Sequence, residues 1–120
     1  MKLRLRNNTL RIRFGTSEVE TLADGGTVES VTPFGPDQAL VCRVVPSGQA
    51  PLASFEESVV SLQVPASSLR DWASGSELTL EHEQVWPGGS LRISLEKDLA
   101  CTHPRKGEDD SDAFPNPLQK

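Results

Sequence analysis

The feature that most constrains the fold of this chain is an internal repeat in its pattern of apolar residues. Shifting the sequence by 50 positions aligns alternating apolar residues with alternating apolar residues, and a helix-like spacing with a helix-like spacing. Few aligned pairs are identical, so the prediction depends on the shared order of periodicities. The aligned positions are Leu3, Leu5, Leu10, Ile12, Phe14, Val19 and Leu22 in the first copy and Ala53, Phe55, Val60, Leu62, Val64, Leu69 and Trp72 in the second.

The repeat continues after a one-residue slip near the end of each copy. The slip aligns Leu40, Cys42 and Val44 with Leu91, Ile93 and Leu95. We therefore predict a single domain over residues 1–120, with one copy at about residues 2–45 and a second at about residues 52–96. An acidic, cysteine-containing tail over residues 97–120 follows the second copy. A chain of 120 residues is long enough for one hydrophobic core.

Each copy begins with two short segments in which apolar and polar residues alternate, which is the period of half-buried strands. In the first copy these are residues 3–6 and 10–14, and Asn7-Asn8 between them suits a two-residue turn with positive φ. In the second copy Glu56-Glu57 lies where the corresponding turn is expected. Each copy therefore opens with a predicted β-hairpin.

A short amphipathic helix follows each hairpin. In the first copy Thr16 or Ser17 is the predicted N-cap, and Gly25 or the glycine after it ends the helix. In the second copy Pro65 stands just before the helix, where its fixed φ is favourable, and Gly75 closes it.

Two more alternating segments complete each copy, and their connections are rich in Pro and Gly. The resulting β-β-α-β-β doublet predicts an α+β fold with about eight strands and two short helices. The strands form a mostly antiparallel barrel or sandwich whose two copies are related by a pseudo-twofold axis. The predicted closing strands are Thr27–Thr32, Ala39–Val45, Glu77–Glu83 and Ser90–Glu96, and the connections are residues 33–36 and 86–89.

Charge and hydropathy exclude several classes of protein. The net charge of −5 argues against a surface committed to nucleic acid or anionic lipid. The longest apolar run, residues 39–45, contains Arg43 and is far shorter than the roughly 20 residues that span a bilayer. Residues 1–14 alternate apolar residues with Arg instead of forming the continuous core of a secretion signal. We therefore expect a cytoplasmic protein without a membrane partner.

The two cysteines lie in different contexts. Cys42 corresponds to an isoleucine in the second copy, so we predict that it packs in the core as a small hydrophobe. Cys101 and His103 lie in the tail, where they are half of a zinc or copper site that His82 or an acid of residues 108–112 would complete. The same Cys101 is a nucleophile only if a histidine lies beside it in the fold.

A basic stripe is the least generic electrostatic feature of the sequence. A two-residue turn at Asn7-Asn8 places Lys2 opposite Arg13 and Arg4 opposite Arg11. Such like-charge pairs destabilise a sheet unless an anion lies nearby. The predicted anion- or partner-binding residues are Lys2, Arg4, Arg6, Arg11 and Arg13.

Two sources of negative charge are open for this stripe. One is the chain's own tail, because residues 107–112 include four acids. The other is a phosphate-bearing or acidic partner, since guanidinium groups bind such groups through paired hydrogen bonds. A nucleic acid is disfavoured, because the aromatic residues that stack bases do not alternate with these cations.

Three segments near the ends of the chain carry a recognisable motif. Residues 1–11 read M-K-L-R-L-R-N-N-T-L-R, residues 96–101 read E-K-D-L-A-C, and residues 112–117 read D-A-F-P-N-P. In these motifs the chain resembles a small bacterial family of unknown function. The resemblance implies that the tail belongs to the domain, and we expect Phe114 to be partly buried; it implies no activity, ligand or catalytic residue.

Three hypotheses follow. The first is a non-catalytic binding or regulatory module that uses the basic sheet face and the acidic tail. The alternative is a metal-binding protein with Cys101 and His103 as ligands. The third hypothesis is an enzyme, because a small barrel can hold an active site that has no recognisable sequence motif. A homodimer is also open, since edge strands can pair between chains.

Overall fold

The computed structural model describes residues 1–98 of the chain. Strands predominate, and the predicted α+β class is confirmed. Among the described residues, neither helix is long and apolar enough to cross a membrane. The elements in chain order are β1 (Lys2–Arg6), β2 (Thr9–Phe14), α1 (Thr16–Ala23), β3 (Val28–Gly35), β4 (Gln38–Ser47), β5 (Leu52–Glu56), β6 (Val59–Pro65), α2 (Ala66–Ser74), β7 (Thr79–Trp86) and β8 (Gly89–Lys97).

The eight strands form two four-stranded sheets. The first sheet has the order β1-β2-β8-β7 and the second has the order β3-β4-β6-β5. In each sheet two antiparallel hairpins meet through one central parallel pair, β2 with β8 and β4 with β6. Each sheet therefore combines the opening hairpin of one predicted copy with the closing hairpin of the other. The two strand orders are equivalent, but the duplication itself stays a prediction.

Within residues 1–98 the two sheets do not close into a barrel. A closed barrel has hydrogen-bonded neighbours on both sides of every strand. Here β1 and β7 are the edges of the first sheet, and β3 and β5 are the edges of the second. Of the two predicted architectures the barrel is therefore wrong, and the described chain is sandwich-like.

The core lies between the sheets and under the two helices. The inward residues of the central strands are buried, as the alternation predicts. Phe14 meets Trp72 of α2 edge to face, with ring centroids 6.0 Å apart. The helices pack against each other at one end of the sandwich. The buried apolar residues are Leu10, Ile12, Phe14, Val19, Leu22, Val28, Cys42, Val44, Leu62, Val64, Leu69, Trp72, Ile93 and Leu95.

The hairpin turns lie at the end opposite the helices. Asn7 has a φ of 50°, as predicted for the first turn. The second turn is Glu57-Ser58, one residue later than predicted, with φ values of 50° and 65°. The closing hairpins turn at residues 36–37 and 87–88, because their strands continue beyond the predicted ends. Pro33 is tolerated in β3 since that strand is an edge and its pairing is irregular there.

The start of α1 differs from the prediction. Gly15, and neither Thr16 nor Ser17, is the N-cap, and the Glu18 carboxylate accepts a hydrogen bond from the Gly15 N–H at 2.9 Å. The same carboxylate accepts a bond from the N-terminal ammonium of Met1 at 2.8 Å. A glutamate in the first turn also opposes the positive end of the helix dipole. Glu18 therefore fixes the start of β1 and the start of α1 together.

A glutamine side chain joins the two sheets along one side of the sandwich. The side-chain oxygen of Gln84 on β7 accepts a hydrogen bond from the Ala53 N–H at 2.7 Å, and its nitrogen donates to the Ala53 carbonyl at 3.0 Å. On the other side, between β1 and β3, the corresponding positions are Leu3 and Thr32, whose side chains carry no such amide. A cavity of about 530 Å³ lies between β1 and β3, whereas the cavity beside β7 has a volume of only about 110 Å³.

Gln84→Ala should lower the free energy of unfolding by about 1–2 kcal/mol, because it leaves a half-buried N–H and carbonyl of β5 without partners. Urea denaturation followed by circular dichroism measures the change. Gln38→Ala is the matched control, since Gln38 is exposed on β4, and it should change stability by less than about 0.5 kcal/mol. Equal effects of the two changes would contradict the role of Gln84.

Candidate functional site

The predicted basic stripe exists as a surface, which we call the basic face: Lys2, Arg4, Arg6, Arg11 and Arg13. Lys2 pairs with Arg13 and Arg4 pairs with Arg11 across β1 and β2, as predicted. Alternation along each strand places these side chains on the outer side of the first sheet, because Leu3 and Ile12 between them point toward the core. A shallow depression of about 210 Å³ is lined by Lys2, Leu3, Arg4, Arg11 and Arg13.

A glutamate on β8 neutralises part of the basic face. The Glu96 carboxylate accepts hydrogen bonds from Nε and Nη2 of Arg11 at 2.7–3.0 Å. Nε of Arg13 lies 4.0 Å from the same carboxylate. The Glu96 side chain is 14% exposed, so this pairing is partly shielded from water. Glu96 was not among the predicted residues, because its role depends on β8 lying beside β2.

The residue after β8 supplies a second counter-charge. The Asp98 carboxylate lies 3.0 Å from Nζ of Lys2. Its backbone N–H donates a hydrogen bond to the Phe14 carbonyl at 2.9 Å, which fixes its position at the end of β2. The predicted internal counter-charge, residues 107–112, lies outside the described residues. That pairing therefore stays a prediction, while Glu96 and Asp98 already compensate one end of the face.

Arg4 and Arg6 differ from the other members of the basic face. Both are exposed on the edge strand β1. Within residues 1–98, no carboxylate lies within 4.0 Å of either guanidinium group. Their partners across the hairpin are Arg11 and Thr9, which are not acidic. The positive charge at this end of the face is therefore uncompensated by the described part of the chain.

Arg92 extends the basic face onto β8. Thr9 pairs with Arg6 on one side and with Arg92 on the other, so two guanidinium groups flank one hydroxyl. The far neighbour of Arg92 is Glu83 on β7, where the outer face becomes acidic. Arg92, like Glu96, was not predicted because its place on this face depends on β8 lying beside β2.

The residues predicted to bind metal are not brought together by the described structure. Cys101 and His103 lie outside the described residues. His82 is half-buried on the inner side of β7, opposite Ile93, beside a small cavity with mainly apolar lining. No group of three His, Cys, Asp or Glu side chains in residues 1–98 is placed to hold one ion. The zinc or copper hypothesis stays a prediction.

Cys42 is buried in the core, as predicted, with 1% of its surface exposed. Burial without a charged partner raises the pKa of the Cys42 thiol to about 11, because the apolar surroundings disfavour the thiolate. A thiol in this state is a poor nucleophile at neutral pH. Among the described residues, Cys42 therefore has the chemistry of a packing residue.

A second candidate site, which the sequence analysis missed, is an apolar groove between the open ends of the two sheets. It has a volume of about 430 Å³ and lies at the hairpin end of the sandwich. Three of its residues are largely exposed: Leu5 at 63%, Phe55 at 67% and Trp86 at 47%. We define the apolar groove by its main lining residues, which are Leu5, Leu40, Phe55, Val60, Trp86 and Leu91.

Residues 1–118 match a family described as a family of unknown function, DUF7009. The chain belongs to this family. The match confirms the resemblance to a domain of unknown function that the terminal motifs indicate. It extends beyond residue 98, so the segment around Phe114 lies within the part of the chain that the DUF7009 family shares. No curated protein and no solved structure matches the chain.

The Cys42 thiol should react with a thiol reagent such as Ellman's reagent only when the protein unfolds. A pKa of about 11 against an ordinary 9.0 lowers the thiolate fraction near neutral pH about 100-fold. The test uses Cys101→Ser, which leaves Cys42 as the single thiol. Because the folded protein holds the Cys42 proton more tightly than the unfolded chain does, the buried neutral thiol contributes fully to stability below pH 9. That contribution is lost as the pH rises toward 11. Rapid labelling of the folded variant would contradict this burial.

Glu96→Gln should lower the free energy of unfolding by about 1 kcal/mol, because it leaves Arg11 and Arg13 side by side on β2 without the carboxylate that both approach. Glu29→Gln is the matched control: Glu29 pairs with Arg43 at 2.7 Å, but both side chains are about 40% exposed. Its effect should be only a few tenths of a kcal/mol. Added salt should reduce the difference between the two variants, and equal losses at low salt would contradict the interpretation.

Proposed function

We propose that this protein is a non-catalytic binding module of the bacterial cytoplasm that holds an anionic partner on its basic face. One observation carries the proposal: Arg4 and Arg6 have no acidic neighbour in the described chain, whereas Lys2, Arg11 and Arg13 each have one. Like charges across a hairpin destabilise it, so an anion bound at Arg4 and Arg6 removes an unfavourable interaction as well as adding favourable ones.

The chemistry of the site suits a phosphate or carboxylate. A guanidinium group donates paired, parallel hydrogen bonds to either anion, and Arg4 and Arg6 lie on one face of the same strand. Arg11 lies directly opposite Arg4 and is held by Glu96, which keeps it in place beside the incoming anion. The site therefore combines one fixed guanidinium with two that are free to adapt.

The position of β1 supports a macromolecular partner. β1 is an edge strand, so a partner can approach both the arginine side chains and the open edge of the sheet. The outer side of the described first sheet has no aromatic side chain near these arginines, which disfavours single-stranded nucleic acid. An acidic or phosphorylated protein segment fits better. The chain's own acidic tail has the same chemistry and would compete for the same residues.

The metal-binding alternative has less support. Its predicted ligands Cys101 and His103 lie outside the described residues, and the described candidate His82 faces a mainly apolar cavity.

Arg4→Glu should weaken binding of a polyanion by tenfold or more, because it replaces an attraction with a repulsion at the uncompensated end of the basic face. The probe is inorganic tripolyphosphate, titrated into isotopically labelled protein at low salt while amide shifts are followed by NMR. The wild-type protein should show shifts along β1 and β2 that disappear at high salt.

Arg70→Glu is the matched control, since it makes the same charge change at an exposed position on α2. It should leave tripolyphosphate affinity close to that of the wild type. If both variants weaken binding equally, the effect is one of net charge and the proposed site is wrong. If the wild type shows no shifts along β1 and β2, the proposed function is wrong.

A further inference from the structure

The apolar groove is a site that the basic face does not explain. It lies between the inner faces of the two sheets, where β1 and β5 approach their turns. Leu5 and Phe55 occupy corresponding positions of the two hairpins, and both face the gap instead of a packed neighbour. Large apolar side chains that cluster on a surface mark a place where another group binds.

The groove is continuous with the opening between β1 and β3. Leu5 and Leu40 line both spaces, and Met1 and Leu3 line the opening toward the helix end of the sandwich. Asp98 lies at that same end, since it pairs with Lys2 and with the end of β2. A path along the edge of β1 therefore runs from the end of the described chain to the groove.

We infer that residues 113–118 of this chain dock in the apolar groove, with Phe114 as the anchor. The segment reads A-F-P-N-P-L, so it offers two large apolar side chains, Phe114 and Leu118. Its two prolines favour an extended backbone and remove two N–H groups that burial would leave without partners.

The length of the intervening chain is sufficient. From Asp98 to Phe114 there are 16 residues, which reach up to about 50 Å when extended. β1 is a five-residue strand, so the groove lies roughly 17 Å from Asp98 along that edge. The connection therefore needs no rearrangement of the described residues.

The charge of the intervening chain complements its path. Residues 107–112 carry four acids and immediately precede the anchor. With Phe114 in the groove beside Leu5, these acids come close to Arg4 and Arg6, whose guanidinium groups have no acidic neighbour in residues 1–98. A second copy of the protein or a free peptide has no such tether to bring complementary charge to this position.

The inference does not depend on the proposed anionic partner, because the anchor is apolar. It does have a consequence for that partner, since a docked tail places its acids at the same two arginines. An external anion then binds by displacing the acidic part of the tail.

The test places a photo-crosslinking amino acid, p-benzoyl-phenylalanine, at position 114 of the full chain. After irradiation, mass spectrometry of proteolytic fragments should show a crosslink within one chain to fragments that contain Leu5, Leu40 or Phe55. The same amino acid at position 120 is the positional control and should give no dominant crosslink to these fragments. In parallel, Phe114→Ala should raise the quenching of Trp86 fluorescence by acrylamide, because Trp72 is 3% exposed and contributes little.

Leu5→Ser should abolish the crosslink, whereas Val85→Ser should leave it unchanged. Val85 is a matched control because it is 69% exposed, similar to Leu5, and lies on the outer side of β7. A crosslink between two chains would overturn the inference in favour of a second copy, and no crosslink to groove fragments would overturn it outright. Groove crosslinks without tripolyphosphate binding would reject the proposed function alone.

Discussion

The pairing of β2 with β8 is the contact on which the rest of the described structure depends. Parallel strands cannot be joined by a tight turn, so each parallel pair joins strands that are far apart in sequence. β2 and β8 come from opposite ends of the described chain, and β4 and β6 repeat the arrangement in the second sheet. These two pairs hold the buried apolar centre, and each helix bridges from a central strand of one sheet to an edge strand of the other.

The same pairing decides the electrostatics of the surface. A hairpin with two directly opposed cationic pairs would be unfavourable alone. β8 brings Glu96 against Arg11 and Arg13, and the residue after it brings Asp98 against Lys2. These acids neutralise only the end of the basic face that lies near the helices. Glu96 is the one acid on β8, and no acid of that strand lies nearer to the Asn7-Asn8 turn. Within residues 1–98, the positive charge of the basic face is therefore concentrated at Arg4 and Arg6.

Most local features were predictable from the sequence, apart from the N-cap of α1 and the exact position of the second turn, whereas long-range features were not. Alternation located the strands, the positive φ at Asn7 followed from its turn, and the burial of Cys42 followed from its place in the repeat. Strand order depends on which hairpins meet, and periodicity carries no information about that. The sequence therefore could not distinguish a barrel from a sandwich, and it could not predict the role of Glu96 or the contribution of Arg92. The apolar groove was hidden too, because Leu5 and Phe55 have the pattern of core residues.

The hydrogen bonds between the Gln84 side chain and the Ala53 backbone join the two sheets on one side of the sandwich only, among the described residues. Two hydrogen bonds fasten the sheets along β5 and β7, while a larger cavity separates β1 from β3. We therefore expect the two sheets to separate more readily along β1 and β3 than along β5 and β7, because the Gln84 hydrogen bonds join only the second pair. The Ala53 amide hydrogen should exchange with solvent more slowly than the unpaired edge amides of β1 and β3, because it is hydrogen-bonded to Gln84. β1 carries Arg4 and Arg6, which have no acidic neighbour in residues 1–98, and its turn end is therefore expected to adjust to a bound group more readily than β5 does.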